Sequence, residues 1–208
     1  MIKDIAAKAY SNEATVLNSY YIANSTCDLQ GDIVECGVAA GAQVAAMYRG
    51  CPNKKIWLFD SFEGIPLAGE HDTSQPGIGE FNHDVKGNLL ISSGITVHGI
   101  NEVRNNFKEW GVNDSDFNYV IGWFENTIPV NSVEKIAVLR LDGDLYNSTK
   151  VCLEWLFPKV VKGGWVIIDD YGLDGCKKAT DEYFINNESF KDFKVVEGTE
   201  KVIYFQIK

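Results

Sequence analysis

The sequence predicts an α/β domain with a mainly parallel β-sheet, helices on both of its faces and an antiparallel edge. Short apolar runs alternate with helix-like stretches, a rhythm that is typical of βαβ units whose strands are covered on both faces. The last two apolar runs, FKVVEG and KVIYFQI, follow each other without a helix between them. That arrangement indicates an antiparallel pair at one edge of the sheet.

The individual elements follow in order along the 208 residues. Five apolar runs before the closing pair are interpreted as strands: DIVEC, KKIWLFD, FNYVIG, KIAVLRLD and GGWVIIDD. Helices are expected at residues 12–25, in GVAAGAQVAAMYRG, in INEVRNNFKEWG, at 148–157 and at 174–185. In the third of these helices Val103, Phe107 and Trp110 recur in step, and Gly111 ends it.

We divide the chain into a helical N-terminal segment, residues 1–30, and one domain over residues 31–208. A loop at about 64–95 is rich in glycine, proline and acids, which is typical of lids and binding loops, and a short helix is expected within it at 85–92. Its two histidines, His71 and His83, are interpreted as solvated, with a role as an alternative base left open. His98 is interpreted as structural.

Composition and charge restrict the function classes. The net charge of −10 argues against nucleic acid as a partner, because proteins that bind phosphate backbones usually present a basic face. Every apolar run is far shorter than the ~20 residues that a membrane-spanning helix needs. The first residues also lack the apolar core of a signal peptide. We therefore expect a cytoplasmic protein with neither a nucleic-acid nor a membrane partner.

The five cysteines are odd in number and include no CxxC pair, which argues against a structural disulfide and against a zinc site. They are Cys27, Cys36, Cys51, Cys152 and Cys176. Cys36 and Cys152 lie in apolar stretches and are interpreted as small core residues.

Polar or small residues follow the predicted strands at their carboxyl ends. They are Glu35, Gly37 and Gly41 at the first strand, Asp60 and Ser61 at the second, GWFENT after the third, Asp142 and Asp144 at the fourth, and Asp169 and Asp170 at the fifth. In open parallel sheets, ligands bind outside the carboxyl ends of the strands, at a topological switch point. The sequence therefore predicts a single site at this edge of the sheet.

The turn after the first strand indicates which cofactor this site takes. Its spacing is G-x-x-x-G, and the dinucleotide fingerprint G-x-G-x-x-G is missing, which disfavours an NAD-dependent oxidoreductase. Glu35 suits a cationic ligand better than a diphosphate. Asp60 follows Gly41 at about the sequence separation at which an acid that binds ribose hydroxyls is found in such folds. A nucleoside with a positive group and no phosphates fits both residues, and S-adenosylmethionine is such a molecule.

The aspartates at the fourth and fifth strands indicate a metal ion. If these strands are neighbours, about 4.8 Å apart, Asp142 meets Asp169 and Asp170. Clustered carboxylates raise one another's pKa unless a cation intervenes, and an all-carboxylate set suits Mg²⁺, with Mn²⁺ or Ca²⁺ as alternatives. Asp144 is then the candidate base for a metal-dependent O-methyl transfer. Arg140 interrupts an apolar strand and is expected to pair with an acid near the site.

Several of these motifs, in this order, resemble the macrocin O-methyltransferase (TylF-type) family. They are GDIVECGVAAG, IWLFDSFEGIP, IGWFENTIP, LRLDGDLYNST and GGWVIIDDYG followed by GCKKATDEY, and together they run from about Gly31 to Tyr183. The resemblance implies the Rossmann-like class I methyltransferase fold, with seven strands of which the last is antiparallel. It also implies an S-adenosylmethionine- and Mg²⁺-dependent enzyme that methylates sugar hydroxyls on natural products.

The resemblance further implies a role for each site residue. The cofactor-binding set is Glu35, Gly37, Gly41, Asp60, Ser61, Gly122, Trp123, Phe124 and Asp142, with Gly122, Trp123 and Phe124 near the adenine. Apart from the resemblance, Phe62 and Trp123 each follow a strand end and are candidates to flank the adenine. The metal ligands are Asp142, Asp169 and Asp170, the base is Asp144, and the acceptor pocket includes Tyr146 and Tyr171.

The chain departs from the family pattern in ways that bear on the acceptor. Asn147 stands where the family usually shows an acid, alanines stand inside GVAAG, and the segment before Gly31 is short. These features favour a larger or more exposed sugar, such as one on a surface polysaccharide or a glycan precursor, and a homo-oligomer is compatible with them. The alternatives that stay open are a catechol-type O-methyltransferase acting on a small diol and a non-catalytic module that binds a nucleoside or a metal.

Overall fold

The computed structural model describes residues 2–10, 12–73, 90–199 and 202–208. The strands are β1 (Asp32–Cys36), β2 (Ile56–Asp60), β3 (Asn118–Ile121), β4 (Ile136–Leu141), β5 (Val160–Ile168), β6 (Lys194–Val195) and β7 (Ile203–Gln206). They form one sheet in the order β3-β2-β1-β4-β5-β7-β6. Strands β1 to β5 pair in parallel, and β7 runs antiparallel to both β5 and β6. The predicted fold class is therefore confirmed.

The helices of the described residues are α1 (Ile2–Ala6), α2 (Glu13–Ser25), α3 (Ala42–Gly50), α4 (Ile100–Glu109), α5 (Phe124–Thr127), α6 (Tyr146–Trp155) and α7 (Asp174–Phe184). Five of them match helices expected from the sequence, but α6 begins at Tyr146 instead of residue 148. At the start of α2 the side chain of Asn12 accepts the N–H of Thr15 at 3.1 Å and so caps the helix. In the described part of the chain, every helix is too short or too polar to cross a membrane.

Two apolar layers cover the sheet. On one face, helices α1 to α4 bury residues such as Ile5, Met47 and Phe107. On the other face, α6 and α7 bury residues such as Leu153 and Phe184. Residues 1–30, expected as a helical segment beside the domain, thus contribute α1 and α2 to the same core as the sheet.

The order of strands along the chain changes direction between β1 and β4, which makes this position the topological switch point of the sheet. The carboxyl ends of the neighbouring strands meet here. The N–H of Asp142, directly after β4, donates to the carbonyl oxygen of Cys36 at 2.8 Å. On the next strand along, the N–H of Asp169 donates to the carbonyl oxygen of Leu141 at 2.9 Å. The carboxyl ends of β1, β4 and β5 therefore lie side by side, as the sequence predicts.

The two described arms of the expected loop at 64–95 pair with each other. The N–H of Ile65 donates to the carbonyl oxygen of Ile95 at 3.0 Å, and Pro66 forms an antiparallel bridge with Ser92. Of the helix expected at 85–92, residues 85–89 lie outside the described residues, as does His83. The described end, residues 90–92, is not helical because it pairs with the opposite arm, so for these three residues the helix prediction is wrong.

The expectation that the chain lacks a disulfide is also wrong. Cys27 and Cys51 are joined, with their Cα atoms 5.6 Å apart. Cys27 follows α2 and Cys51 follows α3, and these two helices pack against each other, so packing brings together two cysteines that spacing alone does not connect. Cys36, Cys152 and Cys176 are buried free thiols.

Candidate active site

The carboxylate of Asp60 organises the turn that follows β1. Its Oδ2 accepts the N–H groups of Val38 at 2.6 Å and Ala39 at 3.3 Å, and its Oδ1 accepts the N–H of Phe62 at 2.6 Å. Burial raises the pKa of Asp60, and these three N–H donors oppose the shift. A carboxylate oxygen can accept two hydrogen bonds, so Oδ1 keeps capacity for a hydroxyl of a ligand.

A cavity with a volume of about 560 Å³, part of it open to solvent, lies at this turn. Its walls combine carboxylates, small residues and two aromatic side chains; they include Gly37, Asp60, Ser61, Trp123, Phe124, Glu125, Asp142 and Asp144. The cavity therefore offers both hydrogen-bond acceptors and flat apolar surface to one ligand.

Arg140 is 1% exposed and joins three carboxylates at the same edge of the sheet. Its Nη1 donates to Glu35 Oε1 at 2.8 Å and to Asp142 Oδ2 at 2.7 Å, and its Nη2 donates to Asp169. The prediction that Arg140 pairs with an acid near the site is confirmed. Burial raises the pKa of Glu35 to about 8, and Arg140 opposes that shift.

Asp142, Asp144 and Asp170 form a carboxylate cluster in which one oxygen of each lies within 4.8 Å of the others. The N–H of Asp144 donates to Asp170 Oδ2 at 3.0 Å. Burial, followed by repulsion from neighbouring carboxylates, raises the pKa of Asp144 to about 8 and that of Asp170 well above its ordinary range. The cluster thus concentrates negative charge that a hard cation with oxygen ligands would balance.

This cluster differs in one member from the expected metal ligands, which are Asp142, Asp169 and Asp170. Strands β4 and β5 are neighbours as expected, but one oxygen of Asp169 is directed to Arg140. Asp144, expected as the base, completes the cluster because its backbone folds back at φ +57°. The sequence shows which residues reach this edge of the sheet, whereas side-chain direction depends on Arg140 and on that local turn.

A second cavity, with a volume of about 820 Å³ including open solvent, adjoins the first. It shares Asp142 and Asp144 with the first cavity and also reaches Asp169 and Asp170. Part of its wall comes from the N-terminal segment, through Lys8, Ala9 and Tyr10. Asp142 and Asp144 therefore line both spaces.

The N-terminal wall of this second cavity is held to α4 by hydrogen bonds. Tyr10 shares a hydrogen bond with His98 Nε2 at 2.9 Å, and His98 Nδ1 shares one with Glu102 Oε1 at 2.8 Å. Lys8 donates to Glu109 Oε2 at 2.8 Å. Tyr10 nevertheless leaves 75% of its surface exposed, so its ring is held in place and available for contact.

Backbone conformations that are unfavourable for side chains concentrate at these cavities. Among the described residues, the non-glycine positions with positive φ are Ala39 (45°), Phe62 (57°), Thr96 (53°) and Asp144 (57°). Three of them line both cavities, and Phe62 follows Ser61, which lines the first. Each such conformation costs about 1–3 kcal/mol, and strain of this kind persists mainly at functional sites. The strain therefore supports assigning function to this edge of the sheet.

The family assignment rests on most of the chain. Residues 19–206 match the profile of the family described as Macrocin-O-methyltransferase (TylF). The chain belongs to the TylF family. That range contains the glycine turn, Asp60 and all the aspartates of the carboxylate cluster.

Two curated TylF-related proteins are similar in sequence. The 8-demethyl-8-(2,3-dimethoxy-alpha-L-rhamnosyl)-tetracenomycin-C 4'-O-methyltransferase of Streptomyces olivaceus is 37% identical over 158 residues, which is 74% of this chain and 58% of that protein. The demethyldecarbamoylnovobiocin O-methyltransferase of Streptomyces niveus is 38% identical over 163 residues, 75% of this chain and 59% of that protein. The chain thus spans under two thirds of the length of these relatives.

Solved structures of similar proteins agree on the fold. The O-methyltransferase NovP has a TM-score of 0.78 and 30% identity, and the match covers 97% of this chain and 82% of NovP. The calicheamicin methyltransferase CalS11 has a TM-score of 0.72 at 19% identity, with 96% of this chain and 80% of that chain covered. The second likeness bears on the fold alone.

Several residues that the TylF resemblance implies for the site do not line the two cavities among the described residues. Glu35 is fully buried behind Arg140. The hydroxyl of Tyr146 donates to Glu182 Oε2 at 2.7 Å, and that of Tyr171 donates to Asp181 Oδ1 at 2.8 Å. Gly41 begins α3, where an added Cβ would lie 2.7 Å from the ring of Phe107. The roles expected for these residues stay predictions.

Gly122 supports the cavity indirectly. Its N–H donates to the carbonyl oxygen of Asp60 at 2.9 Å, which joins the ends of β2 and β3 and so places Trp123 and Phe124 beside the first cavity. Its φ of +136° is a conformation that glycine adopts readily. Gly122 thus positions the aromatic residues that follow it.

Sequence reasoning misses other residues that the fold brings to these cavities. Lys8, Ala9 and Tyr10 come from far away in sequence, and Ile65 and Thr96 come from the two paired arms of the long loop. Nothing in their local pattern indicates a ligand, because each reaches the site through tertiary packing. Glu125 lies within GWFENT and follows the two aromatic residues directly, so that motif is the one signal that could have found it.

Proposed function

We propose that this chain is an S-adenosylmethionine- and Mg²⁺-dependent O-methyltransferase that acts on a sugar hydroxyl of a natural-product glycoside or a surface glycan. The observation that carries the proposal is the meeting of two cavities at one carboxylate cluster, at the switch point of the sheet. Such an arrangement suits a methyl donor on one side and a hydroxyl on the other. The curated relatives, named as O-methyltransferases of a rhamnosyl tetracenomycin and of a novobiocin precursor, support the same chemistry.

The first cavity fits the methyl donor. Asp60 Oδ1 has capacity to accept a ribose hydroxyl, and Ser61 lies beside it. Trp123 and Phe124 offer flat surfaces to an adenine ring, and Asp142 offers negative charge to the cationic methionine end. We assign Gly37 to the close backbone approach on that side.

The carboxylate cluster fits a hard divalent cation, because all its candidate ligands are oxygen atoms. We propose that Asp142 and Asp170 hold the ion, while Asp169 shares Arg140 with Asp142 and keeps that ligand oriented. When bound, Mg²⁺ lowers the pKa of a hydroxyl that it contacts. Side chains that share a hydrogen-bond partner with a metal ligand, as Asp169 does with Asp142 through Arg140, commonly help to orient that ligand.

We assign proton transfer to Asp144, whose carboxylate lies within 4.8 Å of the proposed ligands and lines both cavities. The acceptor O–H bond breaks and its proton passes to Asp144. The oxygen lone pair forms a bond with the methyl carbon, and the carbon–sulfur bond breaks to leave S-adenosylhomocysteine. Positioning of the hydroxyl in line with that bond supplies much of the rate enhancement.

The second cavity is the proposed acceptor site. Its exposed Tyr10 ring offers a surface for the apolar face of a sugar, and the nearby aspartates accept hydrogen bonds from its hydroxyls.

The decisive experiment measures methyl transfer from labelled S-adenosylmethionine to matched panels of deoxysugar glycosides, surface-type glycans and catechols, with Mg²⁺ and after complete chelation. We expect methylation of a glycoside or glycan that stops on chelation and returns with Mg²⁺. Transfer only to catechols would overturn the sugar assignment, and transfer that survives chelation would overturn the metal role. Tight binding of S-adenosylhomocysteine with no transfer to any panel would favour a non-catalytic module.

A further inference from the structure

Asp72 is a buried carboxylate that the catalytic proposal does not use. Its residue is 4% exposed, although it lies in the long segment after β2. Its Oδ1 accepts the N–H of Tyr146 at 2.8 Å, and its Oδ2 accepts the N–H of Gly69 at 2.8 Å. Burial raises the pKa of Asp72, and these two backbone donors oppose the shift.

The carboxylate of Asp72 supplies a cap that helix α6 lacks in its own sequence. The residue at the N-cap position of α6 is Leu145, which has no side chain able to accept a hydrogen bond. The first N–H groups of a helix have no partner within the helix, and they carry partial positive charge. Asp72 satisfies one of them, that of Tyr146, from a segment 74 residues away.

Helix α7 also presents its first turn to Asp72. A Cβ atom added to Gly175 would lie 1.8 Å from Asp72 Oδ1 and 3.0 Å from the nitrogen of Tyr146. The carboxylate therefore occupies the space that a side chain at position 175 would fill. Two helix N-termini, those of α6 and α7, converge on one buried anion.

The loop that Asp72 holds carries Asp144. Residues 142–145 connect β4 to α6, and Asp144 has φ +57° within them. The N–H of Asp144 donates to Asp170 Oδ2 at 3.0 Å. Two residues later the loop ends at Tyr146, whose N–H donates to Asp72 Oδ1. The strained conformation of Asp144 is thus fixed at both ends.

We propose that Asp72 is a positioning residue for the methyl transfer: by capping α6 at Tyr146 it holds Asp144 in place beside Asp142 and Asp170. This inference rests on the proposed function of the carboxylate cluster. Among the described residues, Asp72 lines neither the first nor the second cavity but a smaller one that adjoins the first, so the route that we propose from Asp72 to the reaction is the 142–145 loop.

The test compares Asp72→Ala, Asp72→Asn and the neighbouring control Thr73→Ala, which removes an exposed hydrogen bond to Asp174 without reaching Tyr146. The readouts are kcat and KM on the glycoside that the substrate panels identify, with Mn²⁺ affinity and S-adenosylhomocysteine affinity by calorimetry. Misplacing a reacting group by about 1 Å can cost about 10²-fold in rate. We expect a loss of that size in kcat for Asp72→Ala, with Mn²⁺ and S-adenosylhomocysteine affinity nearly unchanged, because Asp144 is proposed as the base and not as a metal ligand.

Asp72→Asn should recover part of the loss, because its amide oxygen still accepts the Tyr146 N–H. Thr73→Ala should behave as the wild type. A folded Asp72→Ala that keeps the wild-type kcat overturns the inference. If the wild type itself fails to bind Mn²⁺, the proposed function fails with it, so the two failures are distinguishable.

Gly175→Ala provides a second route if Asp72→Ala does not fold. Alanine normally favours a helix over glycine by about 1 kcal/mol, so any loss reports displacement of the Asp72 carboxylate. We expect Gly175→Ala to lower kcat without changing Mn²⁺ affinity, and the double variant Asp72→Ala/Gly175→Ala to be no worse than the more impaired single variant, because the added Cβ fills the space left by the carboxylate. A wild-type kcat in Gly175→Ala, or strictly additive losses in the double variant, contradicts the inference.

Discussion

Gly37 lies directly against the backbone of Asp142, so that a Cβ atom at position 37 would stand 1.7 Å from the Asp142 carbonyl oxygen. This approach joins the cofactor turn after β1 to the carboxylate loop after β4. The φ of Gly37, +91°, is also one that other residues adopt only with strain. The absence of a side chain at this position is therefore a condition for the close approach of the turn after β1 to the carboxylate loop after β4.

Gly37→Ala should lower the free energy of unfolding by about 3 kcal/mol or more, since overpacking costs about 1–3 kcal/mol and the left-handed conformation adds about 1–2. It should also abolish S-adenosylhomocysteine binding. The matched control is Gly94→Ala, where φ is +81° but no atom lies within 4 Å of the added Cβ. Denaturant unfolding and calorimetry measure both effects. Equal losses in the two variants would show that backbone strain alone, and not the contact with Asp142, is responsible.

Arg140→Met should destabilise the fold by about 3–5 kcal/mol, because it leaves the carboxylates of Glu35, Asp142 and Asp169 without their buried counter-charge. Arg104→Met is the control: this side chain is 53% exposed and pairs with Asp114 at 3.7 Å, so its loss should cost no more than about 1 kcal/mol. Denaturant unfolding at neutral pH compares the variants. A stable Arg140→Met protein would mean that these carboxylates are neutral or solvated.

The strand ends could be predicted from sequence because each apolar run is short, buried and followed by polar residues. That pattern places Asp60, Asp142 and Asp169 at one edge of a parallel sheet without any knowledge of their neighbours. The antiparallel closing pair follows equally from the missing helix between the last two runs. These inferences depend on local pattern and on the rules of sheet topology alone.

The rest depends on tertiary packing. The joining of Cys27 to Cys51 follows from the contact between α2 and α3, and the N-terminal wall at Tyr10 follows from its hydrogen bond to His98. Likewise, the capping of α6 by Asp72 spans 74 residues, and no local pattern indicates it. The sequence also does not predict that Asp144, and not Asp169, belongs to the carboxylate cluster, because membership depends on the orientation of these two short side chains.

Asp144→Asn separates the role of base from that of metal ligand. If Asp144 accepts the proton, the amide should lower kcat by about 10²–10⁴-fold, the usual contribution of a general base, and leave Mn²⁺ affinity nearly unchanged. Asp142→Asn should instead weaken Mn²⁺ binding directly. Asp174→Asn, at an exposed acid that starts α7, is the control for removing one negative charge nearby. Loss of Mn²⁺ affinity in Asp144→Asn as large as in Asp142→Asn would make Asp144 a ligand and leave the base to another group.

Tyr10→Ala tests whether the N-terminal segment recognises the acceptor. The ring of Tyr10 is 75% exposed at the second cavity, so its removal should raise the KM for the glycoside by about tenfold, equivalent to about 1.4 kcal/mol of lost contact. S-adenosylhomocysteine affinity should not change, because the first cavity does not include this residue. Tyr21→Ala is the control: it removes a similarly exposed tyrosine on α2, 64% accessible, and should change neither the KM nor the S-adenosylhomocysteine affinity.

Tyr10→Phe keeps the ring but loses the hydrogen bond to His98. A near-normal KM in this variant would assign recognition to the ring face. A KM as high as that of Tyr10→Ala would assign it to the fixed orientation of the ring. An unchanged KM in Tyr10→Ala would place the acceptor elsewhere along the carboxylate cluster.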